Sequence, residues 1–212
     1  MFDDVPALDV VRSEAMSISS ADRNNSNKTI GSVAPIERKQ IGYKYDFLIS
    51  DTASEHEESQ EYGAGKVSIK YQKKKGTKML REGSVELPKL LKDMLDRLIL
   101  KKKDFSKLRS FEVVHSGLTM QFITADRPSR YITRITRGKE LTIATNVDKF
   151  GSEVLPAVVL IWQLKQQILN IRSIVISSKN NGEQKNSQWL KTCLENNDNF
   201  IIPTTSNSTE YV

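Results

Sequence analysis

Lys73-Lys74-Lys75-Gly76-Thr77-Lys78 gathers four ammonium groups within six residues around one glycine. Flexible point charges of this kind suit phosphate oxygens, which they contact without reading base identity. Lys66 and Lys70 stand just upstream, so Lys66, Lys70, Lys73, Lys74, Lys75 and Lys78 form a candidate nucleic-acid surface. The run is not a phosphate-cradling P-loop, because the G-x-x-x-x-G-K-[ST] spacing is absent. Arg127, Arg130, Arg134 and Arg137 gather near two turns and form a second group that could contact phosphate. The stretch 51–60 carries Asp51, Glu55, His56, Glu57 and Glu58, hard donors for a divalent cation. Such ligands need rigid support and a second shell, so a solvated loop competes with the metal reading. His115 has no acid or nucleophile spaced nearby and reads as structural. Cys193 is the single cysteine, which excludes an internal disulfide and any multi-cysteine metal site.

The net charge of +6 is unevenly placed. Residues 61–109 hold fifteen basic and six acidic groups, whereas residues 1–60 hold six basic and eleven acidic. The cationic character belongs to the middle of the chain. That asymmetry suits a polyanion, and equally a solvated lysine-rich face. A chain of 212 residues supports one well-buried core. The longest apolar run, Val154 to Trp162, falls short of the roughly 18 residues that span a bilayer, so no membrane partner is expected. The opening Met-Phe-Asp-Asp-Val-Pro lacks an apolar signal core, and an intracellular location, cytoplasmic or nuclear, is expected.

The candidate residues must be positioned by the elements around them. Ile41 to Asp51 alternates Tyr43, Tyr45, Phe47 and Ile49 with Lys44, Asp46, Leu48 and Ser50, the period of a half-buried strand. A second strand is predicted from Glu61 to about Gln72. Leu87, Leu90, Leu91, Met94, Leu95, Leu98 and Ile99 fall on one helical stripe, with Lys89, Lys92, Asp93, Asp96 and Arg97 elsewhere on its surface. Phe111–Val114 and Leu118–Thr124 read as strands around His115-Ser116-Gly117, and Asp126-Arg127-Pro128-Ser129 as a turn. Tyr131–Thr136 and Glu140–Thr145 read as a hairpin about Arg137-Gly138-Lys139. A second long helix opens at Ser152-Glu153, with Trp162 in its core face. Residues 1–38 read as a tail, where Phe2, Val5, Leu8, Val10 and Val11 form at most a short helix. Residues 39–178 form a single domain, and 179–212 a polar tail with a short helix at Gln188–Leu194.

A strand with an aspartate, a strand with a lysine, an amphipathic crossover helix and a further strand resemble the restriction-endonuclease-like superfamily, the PD-(D/E)XK nucleases. The segments Gly42-Tyr-Lys-Tyr-Asp46, Glu61-Tyr-Gly-Ala-Gly65, Gly76-Thr-Lys-Met-Leu80, Leu87-Pro-Lys-Leu-Leu-Lys-Asp-Met-Leu95, His115-Ser-Gly-Leu-Thr-Met120 and Tyr131-Ile-Thr-Arg-Ile-Thr-Arg-Gly138 resemble a family of uncharacterised proteins from mucoralean fungi. The resemblance covers about residues 40–175. It implies an α/β (α+β) fold, a central mixed sheet flanked by two main helices. In the superfamily, an aspartate and a second acid hold a divalent cation while a lysine assists the attacking water. Carried over, this makes Asp46 a metal ligand and Asp46, Glu61 and Lys66 the catalytic candidates, with Mg²⁺ as cofactor if catalysis survives and none otherwise. The fungal relatives carry Glu at the position of Lys66; here the chain reads Gly63-Ala64-Gly65-Lys66, so the acid two residues before the lysine is missing. Glu61 lies an odd number of residues from Lys66 and reaches Asp46 only if the strand is bulged.

Three readings remain open: a degenerate nuclease-like domain contacting DNA or RNA, a protein-interaction or structural module on the same fold, and a surviving metal-dependent nuclease.

Overall fold

The computed structural model describes residues 5, 8–26, 38–51, 59–68, 85–100, 105–129 and 131–183. Seven strands form one mixed sheet. In chain order the elements are β1 (Leu8–Met16), α1 (Ile18–Asn25), β2 (Lys44–Asp51), β3 (Glu61–Ser68), α2 (Leu87–Leu100), β4 (Arg109–Ser116), β5 (Thr119–Ser129), β6 (Ile132–Arg137), β7 (Leu141–Thr142) and α3 (Leu155–Glu183). The strands lie in the order β1-β2-β3-β4-β5-β6, with β7 also paired to β5. β3 and β4 are parallel and are joined through α2; every other pair is antiparallel. Parallel neighbours need a crossover of this length, which is why the helix falls between them.

The helical stripe is buried as its spacing predicts: Leu87, Leu90, Leu91, Met94, Leu95, Leu98 and Ile99 all lie in the core. Ser110 Oγ donates to the Leu91 carbonyl at 2.7 Å, which sets α2 on the sheet face that carries Ser110 and Glu112. On the other face Phe111, Val113 and Phe122 are buried in a cluster with Ala157, Leu164, Ile168, Ile171 and Val175 of α3. β2 is covered more fully than its alternation predicts: Leu48, Ile49 and Ser50 are all buried, because the strand has neighbours on both edges and apolar layers on both faces. Phe47 pairs with Gly65, and a Cβ at position 65 would enter its ring, so this glycine makes room for the aromatic.

The structure corrects several expectations. Residues 8–26 are not a tail: β1 is an edge strand paired with β2, and α1 follows it. Leu8 and Ala15 are buried by that pairing, and Leu8, Val10 and Val11, expected in a short helix, lie in a strand. Asp93 and Arg97 of α2 are buried, not surface, because α1 packs over them. Asp126–Ser129 continues β5, and Arg127 is buried within it, so composition alone misjudges a turn. β6 and β7 do not pair with each other; both pair with β5, along different stretches of it. Gly117, at φ 58°, makes the tight β4–β5 turn in the left-handed region.

Trp162 is 60% exposed. The buried residues 157, 164, 168, 171 and 175 of α3 share one side, and position 162 lies roughly 140° round the helix from them at 3.6 residues per turn. Leu155, Val158 and Val159 share the outer side with it and are also exposed. The helical stretch Val147–Ser177 is long and apolar enough to cross a bilayer, with mean hydropathy 1.3 over an 18-residue window that is 22% buried. The unbroken apolar run, which stops at Trp162, does not reveal that length. α3 also continues past the expected domain boundary at 178, to Glu183. The helix expected at Gln188–Leu194 lies outside the described residues.

Leu91→Ala removes a side chain with no exposed surface from the α2–sheet contact. It should lower unfolding free energy by about 2–5 kcal/mol in urea melts, and a loss below about 0.5 kcal/mol would contradict the packing described.

Candidate functional site

β2 and β3 bring Asp46 and Lys66 to neighbouring strands, at the end where β3 finishes. The Asp46 carboxylate accepts from the Val67 backbone N–H at 2.5 Å, in place of a ladder bond between the strands. Lys66 Nζ donates to the Lys44 carbonyl at 3.3 Å and lies 5.8 Å from the centre of the Tyr45 ring. The ammonium is thus directed along β2 and over an aromatic face, an arrangement of cation–π type.

Glu61 is elsewhere. It begins β3, opposite Ser50, roughly 16 Å of strand from Lys66 at about 3.3 Å per residue. The bulge that the sequence requires is present: Ile49 pairs with Gly63 but Ser50 with Glu61, so Tyr62 is the extra residue. It aims Glu61 at α1, not at Asp46. Ser17 Oγ donates to Glu61 Oε2 at 2.9 Å, the Ile18 N–H to Oε1 at 2.6 Å, and the Ser19 N–H to Oε2 at 3.1 Å. Both oxygens are engaged and the residue is 2% exposed. Helix N-termini leave backbone N–H groups unpaired and carry positive dipole, so a carboxylate there is well held. The structure thus places Glu61 as a cap on α1, away from Asp46 and Lys66.

Two acids that sequence reading passed over are buried instead. Leu48, Ala64, Glu112, Ile123 and Arg137 form one rung across five strands. Glu112 sits mid-rung between Ala64 and Ile123 with 0% exposure, and neither of its oxygens has a hydrogen-bond partner among the described residues. Burial holds its carboxyl well above the usual range, opposed by the charges of Lys66 and Arg137. Asp93 faces Arg23 at 3.0 Å without the alignment of a hydrogen bond; burial pushes it up to about 7 while Arg23 pulls the other way. Tyr45 is raised by burial first, then by Glu112 and Asp93. Only the charge of Glu112 in a strand interior signals this in the sequence, and charge alone does not reveal which face it takes.

The remaining candidates are dispersed. Arg127 is buried and donates to Asp96 and, at 3.1 Å, to Thr133 Oγ1. Arg134 holds Asp126 through both carboxylate oxygens at 2.9 and 2.5 Å. Arg127 is therefore part of the core, and Arg134 is an exposed arginine paired across β5 and β6. Arg137 is exposed, and Arg130 lies outside the described residues. So do Lys70, Lys73, Lys74, Lys75 and Lys78, as do Glu55, His56, Glu57, Glu58 and Cys193. His115 is half-buried, and burial holds its imidazole below its ordinary value. Among the described residues, no group of three or more His, Cys, Asp or Glu side chains could hold a metal ion.

Comparison with protein-family models, curated proteins and solved structures finds no match.

Glu61→Ala removes three charge-assisted bonds and should cost about 2–4 kcal/mol of stability in denaturant melts, with the loss concentrated in hydrogen-exchange protection of residues 17–25. Unchanged protection there would refute the capping role. The raised Asp93 gives a stability that is full below the usual carboxylate range and is lost as pH rises through about 7. Wild-type melting temperature should fall across that window, and Asp93→Asn should flatten the decline. Equal slopes in the two proteins would show that Asp93 is ionised when folded.

Proposed function

We propose that the chain is a nuclease-like α/β domain that has lost catalysis and keeps a basic surface for nucleic-acid contact. One observation carries this reading: the carboxylate that could complete a cation site with Asp46 and Lys66 is Glu61, and it is spent on the N-terminus of α1. A hard divalent cation needs several oxygen ligands, and one carboxylate that is already hydrogen-bonded beside an ammonium is a poor start. The order β2, β3, crossover α2 and parallel β4 supports the nuclease-like assignment. The balance of +9 over residues 61–109 supports a polyanionic partner, DNA or RNA.

A protein-interaction module on the same fold is the second reading. The exposed stripe of Leu155, Val158, Val159 and Trp162 favours it, since apolar surface of this kind commonly marks a contact with another molecule.

Salt-dependent gel shifts separate the two. Wild-type protein should bind DNA or RNA with affinity that falls steeply with salt, and should not cleave either in Mg²⁺ or Mn²⁺. Replacing Lys73, Lys74, Lys75 and Lys78 with Ser should weaken binding evenly across sequences. The duplex salt slope should fall by up to about 0.9 for each phosphate that a replaced lysine had neutralised. Metal-dependent cleavage abolished by Asp46→Ala would overturn the loss of catalysis. Absence of binding at about 50 mM salt would overturn the nucleic-acid reading in favour of the interaction module.

A further inference from the structure

An open cavity of about 520 Å³ lies between the segment that enters β4 and one flank of α3. Lys107 and Arg109 line one wall, Gln167 and Asn170 the other, and Ile171 and Ile174 line it from the buried side of the helix. The volume falls within the roughly 300–1,000 Å³ of ordinary ligand sites. The composition is selective. Two cations on one wall ask for an anion, two amides offer both donors and acceptors, and the isoleucines ask for an apolar face. The carboxylate opposite Arg109 in the β4–β5 ladder is Asp126, which Arg134 already holds through both oxygens. In the sequence, five of the nine residues from 101 to 109 are basic.

We propose that this groove binds single-stranded nucleic acid, with phosphates on Lys107 and Arg109, a base or sugar face against Ile171 and Ile174, and base edges within reach of Gln167 and Asn170. A single strand is favoured because its bases are unstacked and can present an apolar face to the isoleucines, whereas a duplex offers its phosphates and hides those faces. The proposal rests on the nucleic-acid reading above and deepens it by assigning a place and a strandedness. The groove is separate from Asp46 and Lys66, which lie on β2 and β3.

The test is fluorescence anisotropy on the full chain, with a labelled oligothymidylate and a labelled duplex of equal length, over a salt series. Three proteins are compared: wild type, Lys107→Ser with Arg109→Ser, and Asn170→Glu, which places a carboxylate in the groove. All three positions are exposed, so the fold should be retained, and circular dichroism checks it. Wild type should prefer the single strand. The double variant should bind at least about tenfold more weakly near 50 mM salt, with a salt slope lower by about 1.4, at about 0.7 for each single-strand phosphate neutralised. Asn170→Glu should weaken single-strand binding more than duplex binding. Wild-type binding that both variants retain would overturn the groove and leave the nucleic-acid reading standing. Equal or tighter binding of the duplex by wild type would overturn the single-strand assignment, and absence of binding to either probe would overturn both.

Discussion

The Glu61 carboxylate joins parts of the chain that sequence proximity keeps apart. Its partners, Ser17, Ile18 and Ser19, lie 42 to 44 residues upstream. Three donors and a helix dipole converge on one buried anion, so each partner supplies what the other lacks. Around that contact the leading segment is ordered. The Ser17 N–H donates to the Tyr43 carbonyl at 3.0 Å, and the Tyr43 N–H donates to Ser20 Oγ at 2.8 Å. Gly42 sits where any Cβ would enter the Ser17 carbonyl, so the close approach requires glycine. With the turn fixed, β1 pairs along β2 on one side of it and α1 lies against α2 on the other.

That placement has an electrostatic consequence. α1 carries Arg23 and Asp22 toward Asp93 and Arg97 of α2, at 3.0 and 3.5 Å. Beneath, Glu112 occupies the centre of the sheet with no hydrogen-bond partner among the described residues. An uncompensated buried anion would be costly, and burial raises this carboxyl well above the usual range against the pull of Lys66 and Arg137. The two buried acids, Asp93 and Glu112, are thus fitted to staying protonated or facing an arginine. Glu61, buried as they are, is met instead by three donors at the N-terminus of α1. Carboxyl groups of similar burial take different roles because the groups that face them differ.

The pattern of what was legible follows from range. The α2 stripe was readable since seven apolar residues at helical spacing have one physical solution, and all seven are buried. The strands β2 to β5 were readable by local alternation, though not their neighbours. β1 was not: a bulge between Arg12 and Ala15 breaks its period, and the serines after it look like tail composition while Ser17, Ser19 and Ser20 are in fact buried. The role of Glu61 was illegible because its partners are far upstream, even though the need for a bulge could be stated from spacing alone. Trp162 was misjudged because the opening turns of α3, Leu155 to Trp162, are apolar on every side, which hides which side meets the sheet.

Arginine and lysine divide the work of the charged surface. Arg23, Arg97, Arg127, Arg134 and Arg172 each face an aspartate: Asp93, Asp22, Asp96, Asp126 and Asp51. These pairs tie α1 to α2, α2 to β5, β5 to β6 and α3 to β2. A planar, permanently charged fork is suited to such fixed geometry, and its weaker hydration makes burial less costly. Asp51 shows the effect, since it accepts from Arg172 Nε at 3.0 Å and from the Tyr62 hydroxyl at 2.8 Å, holding a helix to two strands. Exposed lysines make contacts of another kind, such as the i,i+4 pair of Lys149 with Glu153. Pairs of that class contribute only a few tenths of a kcal/mol and exchange readily with solvent. A polyanion can compete for such lysines at little cost to the fold, whereas recruiting the paired arginines would dismantle it.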